Sequence, residues 1–171
     1  MPPGVLFAVY DSVTGRPDYI PPDASEVPAL MNEYVSWINS DEAKTLPVPV
    51  KAAIATYQLL TIHPFEDGNG RTARALATYI LSISGYDLKG FNSMEEYYVA
   101  DLKGYYSNLQ MGLPISYYEG RNAPPDLVPW IDYFIGIMEQ AFRRVAHIAR
   151  NQYEQYIDPR LKSLEPKEKK F

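Results

Sequence analysis

Apolar residues recur at helical spacing through most of the chain. Val27, Leu30, Met31, Tyr34, Val35 and Ile38 fall at i, i+3, i+4, i+7, i+8 and i+11, which predicts an amphipathic helix with Pro28 in its first turn. Pro47 and Pro49 open a second helix, predicted from Val50 to about Ile62. Its Ala52, Ala53, Ile54, Ala55, Leu59 and Leu60 leave little polar face, the pattern of a central, buried helix. A third helix is predicted from about Gly70 to Ser84, with Leu76, Ala77 and Ile80 inward and Gly85 as its stop. Ser93-Met94-Glu95-Glu96 has the capping-box pattern and opens a helix to about Met111. After Pro124-Pro125-Asp126, the longest helix carries Trp130, Phe134, Met138, Ala141, Val145 and Ile148 as one stripe and reaches about Ile157. Only the start breaks the helical period. Val5 to Tyr10, a polar tip at Asp11 to Pro17, and Asp18-Tyr19-Ile20 predict a small β-hairpin that Pro21-Pro22-Asp23 ends. The expected fold is all-α, mainly helical, in one domain over residues 1–157: a hairpin at about 5–20 and core helices at about 26–157. Residues 158–171 form a charged tail with no core signal.

Composition narrows the function without naming it. With 171 residues, 46% of them hydrophobic and 22% charged, the chain suits one soluble domain. It has no cysteine, which removes disulfides and thiolate chemistry and fits a cytoplasmic location. No apolar run approaches the roughly 20 residues of a membrane span, so no membrane partner is expected. A net charge of −5 argues against a general nucleic-acid binder, though a single anionic nucleotide needs only a local positive pocket.

That local chemistry is concentrated in His63-Pro64-Phe65-Glu66-Asp67-Gly68-Asn69-Gly70-Arg71-Thr72-Ala73-Arg74. His63 ends the buried helix, where a neutral imidazole can accept a proton near neutral pH. Pro64 stiffens the turn, and Phe65 is expected to point into the core and anchor the loop. Gly68-Asn69-Gly70 permits unusual backbone angles and close approach of a ligand. The helix that follows presents unpaired N–H groups and a positive dipole end, a seat for phosphate. Arg71 and Arg74, three apart on that helix, can face the same anion. Asp67 beside the loop is placed to hold a Mg²⁺ that bridges phosphates. Glu66 is expected in solvent, and His147 on the long helix is expected to be structural or solvent-facing. No Gly-x-x-x-x-Gly-Lys-Ser/Thr loop occurs, and a metal hydrolase would need more ligands than His63 and Asp67 supply.

At every fixed position this stretch matches the signature of the Fic (filamentation induced by cyclic AMP) family, His-x-Phe-x-Asp/Glu-Gly-Asn-Gly-Arg-x-x-Arg. The hairpin and Tyr19-Ile20-Pro21-Pro22 resemble the family's target-docking flap, and the later helices resemble its core, so that roughly residues 5–150 look like a Fic core. The resemblance implies AMP transfer from ATP to a protein hydroxyl, with Mg²⁺, or Mn²⁺ in its place, as the cofactor. By that analogy His63 is the general base for a target Ser, Thr or Tyr, and Asp67 holds the metal. The backbone of Gly68, Asn69 and Gly70 cradles the phosphates with the Asn69 side chain assisting. Arg71 takes the β-phosphate and Arg74 the γ-phosphate. Main-chain groups between about Tyr10 and Tyr19, continuing to Ile20, would pair with an extended target segment. Tyr105 and Tyr106 fall near the family's adenosine pocket.

The family's inhibitory helix carries Ser/Thr-x-x-x-Glu, whose glutamate pairs with the second arginine. No glutamate in this chain has Ser or Thr four residues before it. Arg74 is therefore expected to lack an inhibitory partner here, and that segment is expected outside the chain. Residues 161–171 look like the lead-in to a winged-helix region, so the chain reads as an excised core, with DNA contacts only beyond residue 171. The family commonly dimerises, which implies a homodimer. The competing class is a non-catalytic nucleotide-sensing or interaction module of a DNA-binding protein. Other nucleotides, and removal of AMP, are further activities within the family. Gly70 argues against the branch that carries lysine there.

Overall fold

The computed structural model describes residues 8–10, 15–86 and 94–156. Among them run a short hairpin, β1 (Val9–Tyr10) and β2 (Pro17–Tyr19), and seven α-helices. The helices are α1 (Val27–Asn39), α2 (Asp41–Thr45), α3 (Val48–Ile62), α4 (Asn69–Leu81), α5 (Glu95–Ala100), α6 (Leu102–Gln110) and α7 (Val128–Tyr156). A wider helical turn, Ser82–Tyr86, closes α4, and Gly85 at φ 87° ends it as the sequence predicts. No helix among the described residues is long and apolar enough to cross a membrane.

Helix α3 is the axle, packed by α1, α4 and α7. Its Ala52, Ala53, Ala55, Thr56, Tyr57, Leu59, Leu60, Thr61 and Ile62 are all buried, which is why its sequence lacks a polar face. Small residues let neighbours approach the α3 backbone closely enough to bond to it. Trp130 of α7 donates its Nε1–H to the Ala53 carbonyl at 2.8 Å, and Tyr34 of α1 donates its hydroxyl to the Ala55 carbonyl at 2.8 Å. Trp130 and Phe134 are fully buried. Trp130→Ala is expected to cost about 3–5 kcal/mol of stability in urea unfolding, because cavity and lost hydrogen bond add. A cost below about 1 kcal/mol would contradict this placement of the core.

Three expectations need correction. Val35, counted in the α1 stripe, is 51% exposed, while Trp37 and Ile38 pack against the core from the end of that helix. The five-residue α2 was not expected; Ser40 opens it by accepting from the Ala43 N–H at 3.1 Å. The single helix expected up to Met111 is two. At Asp101 the backbone turns out of helical angles (φ −137°, ψ 64°), and its carboxylate caps α6 by accepting from Gly104 N–H at 2.9 Å. The first residue of the capping box, Ser93, lies outside the described residues, as do residues 5–7 and 11–14 of the hairpin and the tail 158–171.

Candidate active site

Pro64 ends α3, since its ring and missing N–H forbid another helical turn. His63 closes the helix as a left-handed cap (φ 52°, ψ 56°), its N–H donating to Leu59 O at 3.0 Å. Only Met111 shares a positive φ among the described non-glycine residues. The cap turns the chain out of line with α3 and into the loop to α4. Its Nδ1 lies 3.3 Å from the Leu60 carbonyl. A carbonyl only accepts, so this contact favours the tautomer with the proton on Nδ1 and the lone pair on Nε2. Burial holds the His63 pKa below its ordinary value of 6.5, with the Leu60 contact opposing it weakly. Near neutral pH the ring is therefore a base.

The loop beneath is closed by an unexpected device. Asn69, the first residue of α4 and 3% exposed, donates from Nδ2 to Phe65 O at 2.7 Å and accepts at Oδ1 from Phe65 N–H at 2.9 Å. That two-way clamp corrects one expectation, the role of Phe65. The Asn69 side chain is committed to the loop backbone, bonded through both its Oδ1 and its Nδ2. Phe65 is 43% exposed rather than driven into the core, and the loop is anchored through its main chain instead. Glu66 is exposed, as is His147, which contacts Asn151.

Gly68 precedes α4 with φ 89°, a backbone state that favours glycine. The helical ladder begins with Thr72 N–H to Gly68 O at 2.9 Å, so the N–H groups of Asn69, Gly70 and Arg71 have no acceptor within the helix. Both arginines fold back over this turn. A Cβ built on Gly70 would lie 2.9 Å from Arg74 Nη1, and one on Gly68 would lie 3.5 Å from Arg71 Nη2. Three open N–H groups and two guanidinium groups thus share one rim, a seat for a chain of anionic oxygens.

Each arginine already has a carboxylate. Arg71 Nη2 meets Asp67 Oδ2 at 2.7 Å, and Asp67 Oδ1 accepts from Gly68 N–H at 2.6 Å. With side chains 72% and 90% exposed, this pair holds little energy and opens readily for a ligand. Arg74 Nε meets Glu95 Oε2 of α5 at 2.5 Å, with the side chains only 23% and 46% exposed. Arg74 therefore has a carboxylate partner within the chain, although not one that carries the inhibitory pattern. Glu95 has no Ser or Thr four residues earlier and lies 21 residues from Arg74 along the chain, so the inhibitory pattern does not describe it.

Other predicted residues divide. Tyr105 is 3% exposed, wedged edge-on against Tyr98 and Trp130 beside Arg74, and burial pushes its phenol up to about 12. It supports Arg74 from below and offers no face to an adenine, whereas Tyr106 is 61% exposed. Tyr19 is buried: its hydroxyl donates to Thr61 O, its ring meets His63 edge-on at 6.1 Å, and Arg121 stacks on it at 4.7 Å. The Ile20 main chain is paired on both sides, its N–H to Ile115 O and its carbonyl to Tyr117 N–H, each at 2.9 Å. Tyr19 and Ile20 therefore root the hairpin in the core. Tyr10 lies in β1, opposite Pro17. Arg121, 6% exposed and donating from Nε to Pro114 O, is a support that the sequence did not disclose. A cavity of about 300 Å³ lined by Leu30, Tyr34, Tyr57 and Arg121 is formed by none of the motif residues.

Comparison with known proteins agrees with this geometry. Residues 5–81 match the family model described as the Fic/DOC family. The chain is 49% identical over 69 residues to a protein adenylyltransferase Fic of Aedes aegypti and 44% identical over 68 residues to that of Drosophila melanogaster. Each match covers 40% of this chain and 14% of the relative, so the chain spans a small part of those proteins. Among solved structures, a Fic family protein from Desulfovibrio desulfuricans G20 superposes with a TM-score of 0.63 at 23% identity, covering 85% of this chain and 39% of that one. A Fic domain containing signaling protein from Bacteroides thetaiotaomicron VPI-5482 gives 0.62 at 26%, covering 83% and 53%. Fic-1 from C. elegans gives 0.55 at 30%, covering 78% and 35%.

Proposed function

From the match of residues 5–81 to the Fic/DOC family model, we propose that the chain is a protein adenylyltransferase of that family, moving AMP from ATP to a Ser, Thr or Tyr hydroxyl of a target protein. One observation carries the reading: burial keeps His63 a base at the end of α3, one short loop before an α4 N-terminus over which two guanidinium groups fold back. His63 Nε2 takes the hydroxyl proton as the oxygen attacks the α-phosphorus. The bond from that phosphorus to the bridging oxygen breaks, and pyrophosphate leaves. The N–H groups of Asn69, Gly70 and Arg71 and the end of the α4 dipole hold the charge that gathers on the phosphate oxygens. Arg71 takes the β-phosphate, leaving Asp67 as it does so, and Arg74 takes the γ-phosphate through its terminal nitrogens.

Asp67 fits a divalent cation in one way. No group of three or more candidate ligands gathers among the described residues, so the chain offers a single exposed carboxylate. That suits Mg²⁺ arriving on the nucleotide with most of its waters. Bound there, the ion would neutralise charge on the α- and β-phosphates.

The test is transfer of label from α-labelled ATP to protein in a lysate, comparing wild type with His63→Ala. Absence of histidine-dependent labelling, with Mg²⁺ or Mn²⁺ and several nucleotides supplied, would end the reading. The γ-phosphate assignment has its own check. Arg74→Ala is expected to weaken ATP binding about tenfold more than ADP binding by calorimetry, the scale of one charge-assisted contact. Equal losses would contradict it.

A further inference from the structure

We propose that Glu95 is a positioning residue for the nucleotide: it holds the Arg74 guanidinium by its Nε edge and so aims both terminal nitrogens at the triphosphate. The inference rests on the reading of Arg74 as a triphosphate ligand.

The contact is one-sided. Glu95 Oε2 takes the Nε–H of Arg74 at 2.5 Å, in contrast to Arg143, which grips Glu139 through both Nε and Nη2. A guanidinium held at Nε keeps its two terminal nitrogens for a second anion. Their direction is set as well, since Nη1 lies 2.9 Å from where a Gly70 Cβ would stand, over the open N–H groups of the α4 turn. Arg74 thus bridges Glu95 on one edge and the phosphate seat on the other.

The helix that carries the carboxylate is anchored on both sides of Glu95. Tyr98, one turn along α5, is 3% exposed and packs on Tyr105 and Tyr133. On the outer side of α5, Glu96 pairs with Arg144 of α7 at 2.5 Å and the Tyr97 hydroxyl donates to Gln140 O at 3.4 Å. These contacts tie α5 to α7 and fix Glu95 toward α4. Tyr105, buried under Arg74, closes the remaining side. An arginine side chain carries much rotamer freedom, and holding it before the ligand arrives removes that ordering cost from binding.

A brake that competes with phosphate for Arg74 and a brace that aims it make opposite predictions. The experiment is ATP and ADP binding by calorimetry on wild type, Glu95→Ala, Glu95→Gln, Arg74→Ala and the double variant Glu95→Ala/Arg74→Ala, with melting temperatures alongside. The brace predicts that Glu95→Ala weakens ATP binding about fivefold or more, with a smaller effect on ADP. Glu95→Gln, whose amide oxygen still accepts from Nε, retains most of the affinity. In the Arg74→Ala background, removing Glu95 adds little, the non-additivity expected of residues acting as a unit. Unchanged or tighter ATP binding in Glu95→Ala overturns the proposal, as do equal ATP and ADP losses or additive losses. These binding readouts require no AMP transfer, so failure of the adenylyltransferase reading shows separately, in the His63-dependent labelling.

Discussion

His63→Ala lowers the rate of AMP transfer by about 10²–10⁴-fold, the range for removing a positioned general base. The fold survives the change. His63 is a helix cap whose N–H bond to Leu59 is main-chain, and alanine at this left-handed position adds no more than about 1–2 kcal/mol of strain. ATP binding persists, because the phosphate seat belongs to α4. The wild-type pH profile carries the same signature. Burial lowers the His63 pKa, so the neutral, proton-accepting form persists to lower pH than for an exposed imidazole. The rate should be level from about pH 7 upward and fall only below about 6.5, as the ring takes a proton. An inflection above pH 7 would mean that the charged form is favoured, against the geometry of a half-buried ring resting on a carbonyl.

Asn69→Ala should be nearly as damaging, for a different reason. It deletes both partners of the Phe65 main chain, and each group left unsatisfied costs about 1–3 kcal/mol. The loop between His63 and Gly68 then loses its closure, and the base no longer stands at a fixed distance from the phosphate seat. Misplacement of about 1 Å costs on the order of 100-fold in rate. Urea unfolding and the transfer rate should therefore fall together, and Asn69→Asp, which keeps the acceptor but loses the donor, should lie between. A rate loss with unchanged stability would instead assign Asn69 to the phosphates.

The core and the motif were legible because each rests on local spacing. The polar-free face of α3, the Trp130 stripe of α7 and the Gly85 stop all follow from periodicity, and the structure agrees with them. The motif's order along the chain likewise places a base at the end of α3 and a glycine turn and two arginines at the start of α4. Side-chain commitments were not legible, because they depend on partners distant in sequence or on competition within a loop. Glu95 reads as a helix-start residue until its carboxylate meets Arg74 of α4. Tyr19 reads as a flap residue until its hydroxyl meets Thr61 and its ring meets Arg121, over 100 residues away. Phe65 reads as a core anchor on hydrophobicity alone. The Asn69 clamp leaves no need for one, and the ring stays at the surface. The helix break at Asp101 was hidden because its capping carboxylate sits within a continuous apolar pattern.

The account stands most directly on which phosphorus is attacked. Parallel reactions with α-labelled and γ-labelled ATP, each with wild type and His63→Ala, decide it. The prediction is protein-bound label from the α position only, dependent on His63, with the γ label recovered as pyrophosphate. Label reaching protein from the γ position, or α-label transfer that survives His63→Ala, would contradict it.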